Sequence, residues 1–543
     1  MKNLLKLFTI LAIAVYFSSC TEDFNEINTN PKALTLASLD KASYGFVFKK
    51  SVMGPSYLQA AGNGMQLLHS LYFDIYANYW ATTTPNFLSD RYVMVGSWLN
   101  GAFNSFYASE AAQIKYSEDF ARQEDLQGEL AMAKIWKVWC YHRYTDALGP
   151  IPYSQYGNMQ KTVAYDKQQD IYTQFFQELD SAENILKGLS GKSGPLQAYD
   201  MIYGGDFAKW RKFGNSLHLR LGMRLKYAAP AVAKTECEKA VANGVIALNA
   251  DNGWITTSTD FQNPYNIISP WAEYRMSADM ESILKGYLDP RAASYFKAAK
   301  TPDNTDDPAG VVFPYEGVRN GQSKSDRSTY KFDEIGSDHA QPYTVTGAAG
   351  PKWFVMRAFE GYFLRAEGVL EGWNMGGGTV QSLYEDGIKT SFAENGIAEV
   401  KNLKSEDYLT SALVPASPGL DKRTLAGEVA PAPVSTIPVA FNAGGTKEYQ
   451  LEQIITQKWI GLLPDSQEAY AERRRTGYPK LYPRLESENP DVAATSLPVR
   501  LTYWTSEYTN NKAEVDKAIT LLNGESSTPA GDKATTKLWW DKK

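Results

Sequence analysis

Apolar side chains recur at steps of four and three along much of this chain, and that spacing commits it to α-helices. The clearest case is 167–189. There Ile171, Phe175, Leu179, Ala182, Leu186 and Leu189 fall on one helical face. Asp166 stands where an N-cap belongs, and Gln169 completes a capping box. In 207–228, Phe213, Leu217, Leu221 and Leu225 are each four apart, with Trp210 one turn earlier, and Pro230 is expected to end the run. The same reading predicts helices over 126–147, closing at Gly149-Pro150, and over 235–243, 355–373 and 380–394. The last of these begins after Thr379 and stops at Asn395-Gly396. Further helices are expected near 40–60, 98–120 and 448–462, the last before Pro464.

These segments pair in sequence: 126–147 with 167–189, 207–228 with 235–247, and 355–373 with 380–394. Small residues such as Ala366, Gly368 and Gly387 stand at packing positions, as in tetratricopeptide units, although the spacing is not that of a regular array. The expected fold class is mainly α, with helix pairs as a scaffold and large insertions packed on it. The insertions are 251–350, rich in Pro, Gly, Asn, Asp and aromatics, then 401–446 and the polar 484–535. Long irregular segments in a compact protein are usually functional or disordered. Aromatic content separates the cases. Segments 72–98 and 261–275 have it and read as ordered loops, whereas 409–437 reads as a solvated excursion.

The N-terminus sets the compartment. Lys2 and Lys6 precede an apolar run from Leu7 to Phe17, too short for a bilayer span of about 20 residues but suited to a signal peptide. Ser18-Ser19-Cys20 at its end looks like a lipobox, so residues 1–19 read as a lipoprotein signal peptide and Cys20 as the acylated first residue. Thr21-Glu22-Asp23 resembles a surface-export signal of Bacteroidota lipoproteins. Cys140 and Cys237 lie in helical segments and read as buried free thiols. A net charge of −6 argues against a nucleic-acid partner.

Catalytic patterns are missing. None of His69, His142, His218 and His339 stands in H-E-x-x-H, and there is no C-x-x-C pair, so no metal or other cofactor is expected. No G-x-S-x-G elbow occurs, and Gly376-Gly377-Gly378 lacks the Lys-Ser/Thr of a P-loop and reads as a turn. Arg473-Arg474-Arg475 follows Glu468 and Glu472 on a short helix, where ion pairing is the expected use. With 61 acidic residues, a chance pair of carboxylates is certain, so glycosidase chemistry has no positive signal.

An ordered set of segments then carries a family resemblance. It comprises Cys20-Thr-Glu-Asp-Phe-Asn-Glu-Ile-Asn-Thr-Asn-Pro31, Asp146-Ala-Leu-Gly-Pro-Ile-Pro-Tyr-Ser154 and Trp210-Arg-Lys-Phe-Gly-Asn-Ser-Leu-His-Leu-Arg220. Leu288-Asp-Pro-Arg291, Leu364-Arg-Ala-Glu-Gly368, Gln457-Lys-Trp-Ile460, Arg474-Arg-Thr-Gly-Tyr-Pro479 and Thr536-Lys-Leu-Trp-Trp-Asp541 follow. Together they resemble SusD/RagB-family outer-membrane lipoproteins, most closely the SusD-like type 2 branch. The resemblance implies four tetratricopeptide-like helix pairs and a lipid anchor on the cell surface. It implies a SusC/RagA-type TonB-dependent β-barrel as partner, and a glycan or peptide as ligand. Some members of the branch resemble binders of N-acetylglucosamine-containing glycans. On this reading residues 20–543 form one domain, with its scaffold in 40–250 and 355–395 and its ligand side in 251–350 and 401–535.

The resemblance carries no binding residues, so the expected site rests on local chemistry. Sugars want aromatic platforms with amide, carboxylate or guanidinium groups for their hydroxyls, whereas peptides favour strand edges or charged pockets. The aromatic loops favour an oligosaccharide ligand over a peptide, and binding over hydrolysis. One loop supplies Tyr76, Trp80, Asn86, Phe87, Arg91 and Tyr92, and the other Tyr265, Asn266, Trp271, Tyr274 and Arg275. Trp80 and Trp271 are the expected stacking platforms. Asn86, Asn266, Arg91 and Arg275 are the expected partners of hydroxyl or N-acetyl oxygens.

Overall fold

The computed structural model describes residues 40–543, apart from 59–60, 159, 161, 190, 303–306, 309, 330–331, 333–335, 340–342, 344–346 and 420–429. The signal segment and Cys20 therefore lie outside the described residues, as does the middle of the excursion expected at 409–437. The chain divides into residues 1–44 and 45–543, and the architecture that follows is that of the second unit, whose first helix starts four residues before the boundary, at Lys41.

Helices dominate it. In chain order the longer ones are α1 (Lys41–Met53), α2 (Gly96–Ser105), α3 (Ala111–Gln123), α4 (Gln127–Leu148), α5 (Gln168–Lys187), α6 (Phe207–Arg224) and α7 (Pro230–Asn243). They continue with α8 (Ala278–Tyr287), α9 (Ala358–Leu370), α10 (Val380–Glu394), α11 (Lys447–Leu462), α12 (Ser466–Thr476) and α13 (Lys512–Glu525). A π-helix spans Ala61–Asp74, so the first residues of the expected 72–98 loop are helical. Strands are short: β1 (Trp80–Thr82), β2 (Gly253–Ile255), β3 (Tyr274–Met276) and β4 (Trp353–Met356). They form two antiparallel pairs, β1 with β3 and β2 with β4.

The expected partners pack as pairs: α4 on α5, α6 on α7, and α9 on α10. The predicted face of α5 is buried at Ile171, Phe175, Leu179, Ala182 and Leu186. Small residues set the closest approach between α9 and α10. A Cβ at Gly387 would lie 2.8 Å from the Phe363 ring, and one at Gly368 would lie 2.6 Å from Met375 Sδ. Thr379 and Ser382 cap α10 reciprocally at 3.1 and 2.9 Å. Cys140 and Cys237 are buried free thiols.

Several boundaries differ from the expectation. Asp166 does not cap α5. Its carboxylate accepts from the Tyr153 and Ser154 backbone amides at 3.1 and 2.7 Å, fixing the preceding loop. The first amides of α5, on Gln168 and Gln169, instead donate to Glu525 at 3.0 Å each, so a residue at the end of α13 caps a helix distant in sequence. Pro230 does more than follow α6, for it occupies the first turn of α7, where a missing N–H leaves no hydrogen bond unmade. Residues 353–356 form β4 rather than the start of a helix. The polar 484–535 segment contains α13, whose buried positions are only Val515, Ala518 and Leu522.

The core joins α4, α6, α9, α11 and α12 through buried charge. Arg220 holds Glu360 in a two-pronged pair at 2.8 and 2.6 Å. Arg475 holds Glu367 at 2.7 Å twice and Glu472 at 2.8 and 2.7 Å. Arg224 reaches Glu468 and Glu472 at 2.5 Å each. Lys458 lies 3.0 Å from Glu472, and Lys226 lies 3.0 Å from Glu367. Arg474 is spent on carbonyls, those of Asp146 at 2.7 Å and Val499 at 2.9 Å. Of the arginine run, Arg475 makes the expected ion pairs, whereas Arg474 bonds carbonyls and Arg473 bonds the Tyr76 carbonyl and the Asn78 side chain. Burial alone would raise the Glu367 carboxyl, but Arg475 and Lys226 outweigh it and hold it at about 2. At Glu468 burial outweighs the arginines and the carboxyl sits at about 7.

Candidate ligand-binding surface

The two aromatic loops expected to hold ligand meet each other. β1 and β3 are antiparallel, with Trp80 opposite Met276, Ala81 opposite Arg275 and Thr82 opposite Tyr274. A third segment closes on them: Val318 donates to the Met276 carbonyl at 2.8 Å, and Ala278 donates to that of Val318 at 2.9 Å. A ladder covered in this way turns its side chains into the core, and most of the expected site residues go with it.

Trp80 is 1% exposed. Its ring stacks on His339 at 3.7 Å and meets the edge of Phe296 at 5.1 Å. Both faces of a platform must be open or one free for a sugar, and protein rings occupy this one. Tyr265 is equally buried and donates to the Asp74 carboxylate at 2.9 Å. Asp74, shared with Ser466, is pushed up to about 7 by burial. Arg91 is buried and spent on Glu488 at 2.5 Å and the Gln322 carbonyl at 3.2 Å. Tyr92 donates to the Ser496 carbonyl at 2.8 Å. Tyr76, Asn266, Tyr274 and Arg275 are also buried. Asn266 donates to Ala348 at 3.3 Å, and Arg275 to the Tyr274 carbonyl at 2.7 Å. These residues are buried beneath the loop tips: Trp80, Tyr274 and Arg275 by the ladder and the segment behind it, and Arg91, Tyr92, Tyr265 and Asn266 by the partners they bond.

Only the tips of the loops emerge. Trp271 is 43% exposed. It ends a short 3-10 turn, Ser269–Trp271, after which Ala272 takes a left-handed conformation, φ 59°. Alanine rarely adopts that region, and the bend it makes turns the chain back into β3 beside an outward tryptophan. The neighbouring tip is fastened to this one: the Thr83 amide donates to the Glu273 carbonyl at 2.9 Å, and the Thr83 hydroxyl to that of Ala272 at 2.8 Å. Asn86 is exposed and Phe87 half-buried. Phe87 meets Trp98 edge-on at 5.8 Å and Tyr274 at 6.1 Å.

Two polar residues belong to this surface that sequence reasoning missed. Glu273 is half-buried and accepts from Gln66 Nε2 at 2.8 Å. Its carboxyl is raised by desolvation, with the Gln66 hydrogen bond acting against it. Gln66 lies on the π-helix, where no motif marks it, whereas Glu273 sits inside the aromatic segment and was legible by position alone. From beneath, the first loop is pinned by buried Asp90. That carboxylate pairs with Arg327 at 2.5 Å and Arg484 at 3.4 Å, and accepts from Asn320 Nδ2 at 3.0 Å. Asn320 also holds the Trp80 carbonyl at 2.9 Å. An exposed aromatic ring and exposed or half-buried polar side chains on two loop tips fastened to each other suit a polyhydroxylated ligand with an apolar face.

The chain was compared with known proteins against this geometry. The model of the family described as SusD-like, Susd and RagB outer membrane lipoprotein matches residues 26–541. The chain belongs to the SusD/RagB family. It is accordingly an outer-membrane lipoprotein. Solved structures agree over nearly its whole length. It is similar to a chitin-binding SusD homologue from Flavobacterium johnsoniae, with 35% identity, a TM-score of 0.78, and 92% of this chain and 98% of that one covered. A SusD homologue from Bacteroides thetaiotaomicron gives 33% identity and TM-score 0.79, with 92% and 99% covered. One from Bacteroides ovatus gives 30% and 0.80, with the same coverage. Comparison with curated proteins gave no match. The fold is therefore the SusD-like one, mainly helical with few strands.

The two tryptophans of this SusD-family chain should respond oppositely to truncation. Trp80→Ala empties a buried site and should cost about 3–5 kcal/mol of unfolding free energy. Trp271→Ala should change it by less than about 0.5 kcal/mol. Denaturant titration of both variants measures the contrast, and equal losses would show that Trp271 is packed rather than presented.

Proposed function

We propose that this SusD-family lipoprotein captures an N-acetylglucosamine-type glycan at the cell surface and delivers it to a SusC/RagA-type TonB-dependent β-barrel. The observation that carries the reading is the outward Trp271 on a loop tip that also carries Glu273, bonded by Gln66, and that is fastened through Thr83 to the tip bearing exposed Asn86. The ligand class is supported by the similarity to the chitin-binding Flavobacterium johnsoniae homologue. A second solved structure, described as a chitin-binding protein, is 26% identical and supports the same class. On this reading Trp271 stacks on a sugar ring, Asn86 and Gln66 bond hydroxyl or N-acetyl oxygens, and Glu273 accepts from a hydroxyl. The chain binds and does not cleave, as members of a binding-protein family generally do. The type 2 branch of the family, which the segments from Asp146 to Asp541 resemble, belongs to the same proposal.

Titration of chitin oligosaccharides into the mature chain tests the ligand. Wild type should bind, and Trp271→Ala should lose about thirtyfold in affinity, which is about 2 kcal/mol, with its unfolding midpoint unchanged. Binding of mixed peptides and of no oligosaccharide would replace the glycan by a peptide. Unaltered binding by Trp271→Ala would place the site elsewhere.

The anchor is the second part of the proposal. Cys20, outside the described residues, carries the acyl chains, and the mature chain begins there. Cys20→Ser should move the protein from the membrane fraction to the soluble fraction of its host. Retention in the membrane after signal processing would contradict it.

A further inference from the structure

Helices α5, α6 and α7 bring Asp180, His218 and Glu236 together, with one donor atom from each lying within 4.8 Å of the others. His218 is the fixed member. Its side chain is 2% exposed and its ring stacks on Phe176 at 5.1 Å. Nε2 shares a 2.7 Å hydrogen bond with Glu236 Oε2. With the proton on Nε2, the Nδ1 lone pair is left, and it faces Asp180 Oδ1 across 4.0 Å, too far for a hydrogen bond. A carboxylate behind one imidazole nitrogen and an open lone pair on the other is the arrangement that orients histidine toward a metal.

The surroundings favour a cation there. Lys239 already stands between the two carboxylates, 2.8 Å from Asp180 and 2.5 Å from Glu236. Its side chain is one-third exposed and is free to swing into solvent. Asp180 and Glu236 also line a cavity of 280 Å³, so the Asp180 side faces space for water ligands. Metal–nitrogen and metal–oxygen bonds of about 2.1 Å at a tetrahedral angle need an N···O separation of about 3.4 Å. A small rotation of the part-exposed Asp180 closes the observed gap.

We propose that His218 Nδ1 and Asp180, with water completing the shell, bind a divalent transition-metal ion, while Glu236 holds the imidazole from Nε2; the ion displaces Lys239 from Asp180 and ties α5 to α6, with α7 supporting it through Glu236. One imidazole with one carboxylate and water suits zinc or cobalt better than magnesium or calcium. No sequence motif announces the site, because its residues come from three helices, and it is independent of the glycan reading.

Calorimetric titration of the tag-free mature chain with zinc chloride tests it, with cobalt absorption as a second signal. Wild type should show one saturable site. Asp180→Asn and His218→Gln should each weaken it at least about tenfold, and Lys239→Met should tighten it about tenfold by removing the competing charge. The proposal is overturned if neither wild type nor Lys239→Met binds zinc saturably. It is overturned equally if binding persists unchanged in Asp180→Asn and His218→Gln. Should His218→Gln fail to fold, Asp180→Asn decides alone, since its side chain is part-exposed and its loss leaves the core intact.

Discussion

Arg475, with no exposed side-chain surface, holds Glu367 of α9 and Glu472 of its own helix in one guanidinium plane. Around it Arg220, Arg224 and Lys458 share Glu360, Glu468 and Glu472, and Lys226 pairs with Glu367. Charges taken this far from water are tolerated only when geometry and hydrogen bonding are complete, and removing one member leaves another uncompensated. The requirement fixes α6, α9, α11 and α12 relative to one another with a specificity that apolar packing alone lacks. The helix pairs are therefore clamped in two ways: by close glycine contacts within a pair, as at Gly387 against Phe363, and by ion pairs between pairs.

The proposed ligand surface inherits that rigidity through α12 and the π-helix. Ser466, at the start of α12, donates to Asp74, and Tyr265 bonds the same carboxylate, tying the second aromatic loop to the frame. Arg473 reaches the Tyr76 carbonyl and Asn78 at 3.3 and 3.2 Å, and Arg484 holds Asn78 at 2.8 Å, tying down the first. β1 and β3 then fasten the loops to each other. Trp271 and Asn86 thus stand on a base whose polar groups are committed to the protein, which leaves the tips to meet a ligand with little ordering cost.

Much of this frame was legible in the sequence, since a buried helical face must repeat every three or four residues and α5, α6 and α10 do so cleanly. Asp166 misled because capping chemistry is local in sequence only by habit: Glu525 does the work from another helix, and nothing near Lys167 reveals it. The short strands escaped because three residues carry no period. That loss decided the site. Trp80 and Trp271 read alike, as tryptophans in aromatic loops, and only ladder membership separates the buried one from the presented one. Arg275 was drawn inward for the same reason, and Arg91 by Glu488 and the Gln322 carbonyl, both distant in sequence. The pairing of Arg475 with Glu472 was foreseeable from their spacing, but its burial, and the turn of Arg473 and Arg474 to carbonyl and amide oxygens, depended on segments distant in sequence.

The central claim is that ligand meets the paired loop tips and not another face of the helical frame. Hydrogen exchange with and without a saturating chitin oligosaccharide reads this directly, residue segment by residue segment. The account predicts added protection confined to peptides covering 83–87 and 269–273, with α4, α5 and α6 unchanged. Protection centred on the helix pairs, with the two tips exchanging as fast as in the free protein, would contradict it.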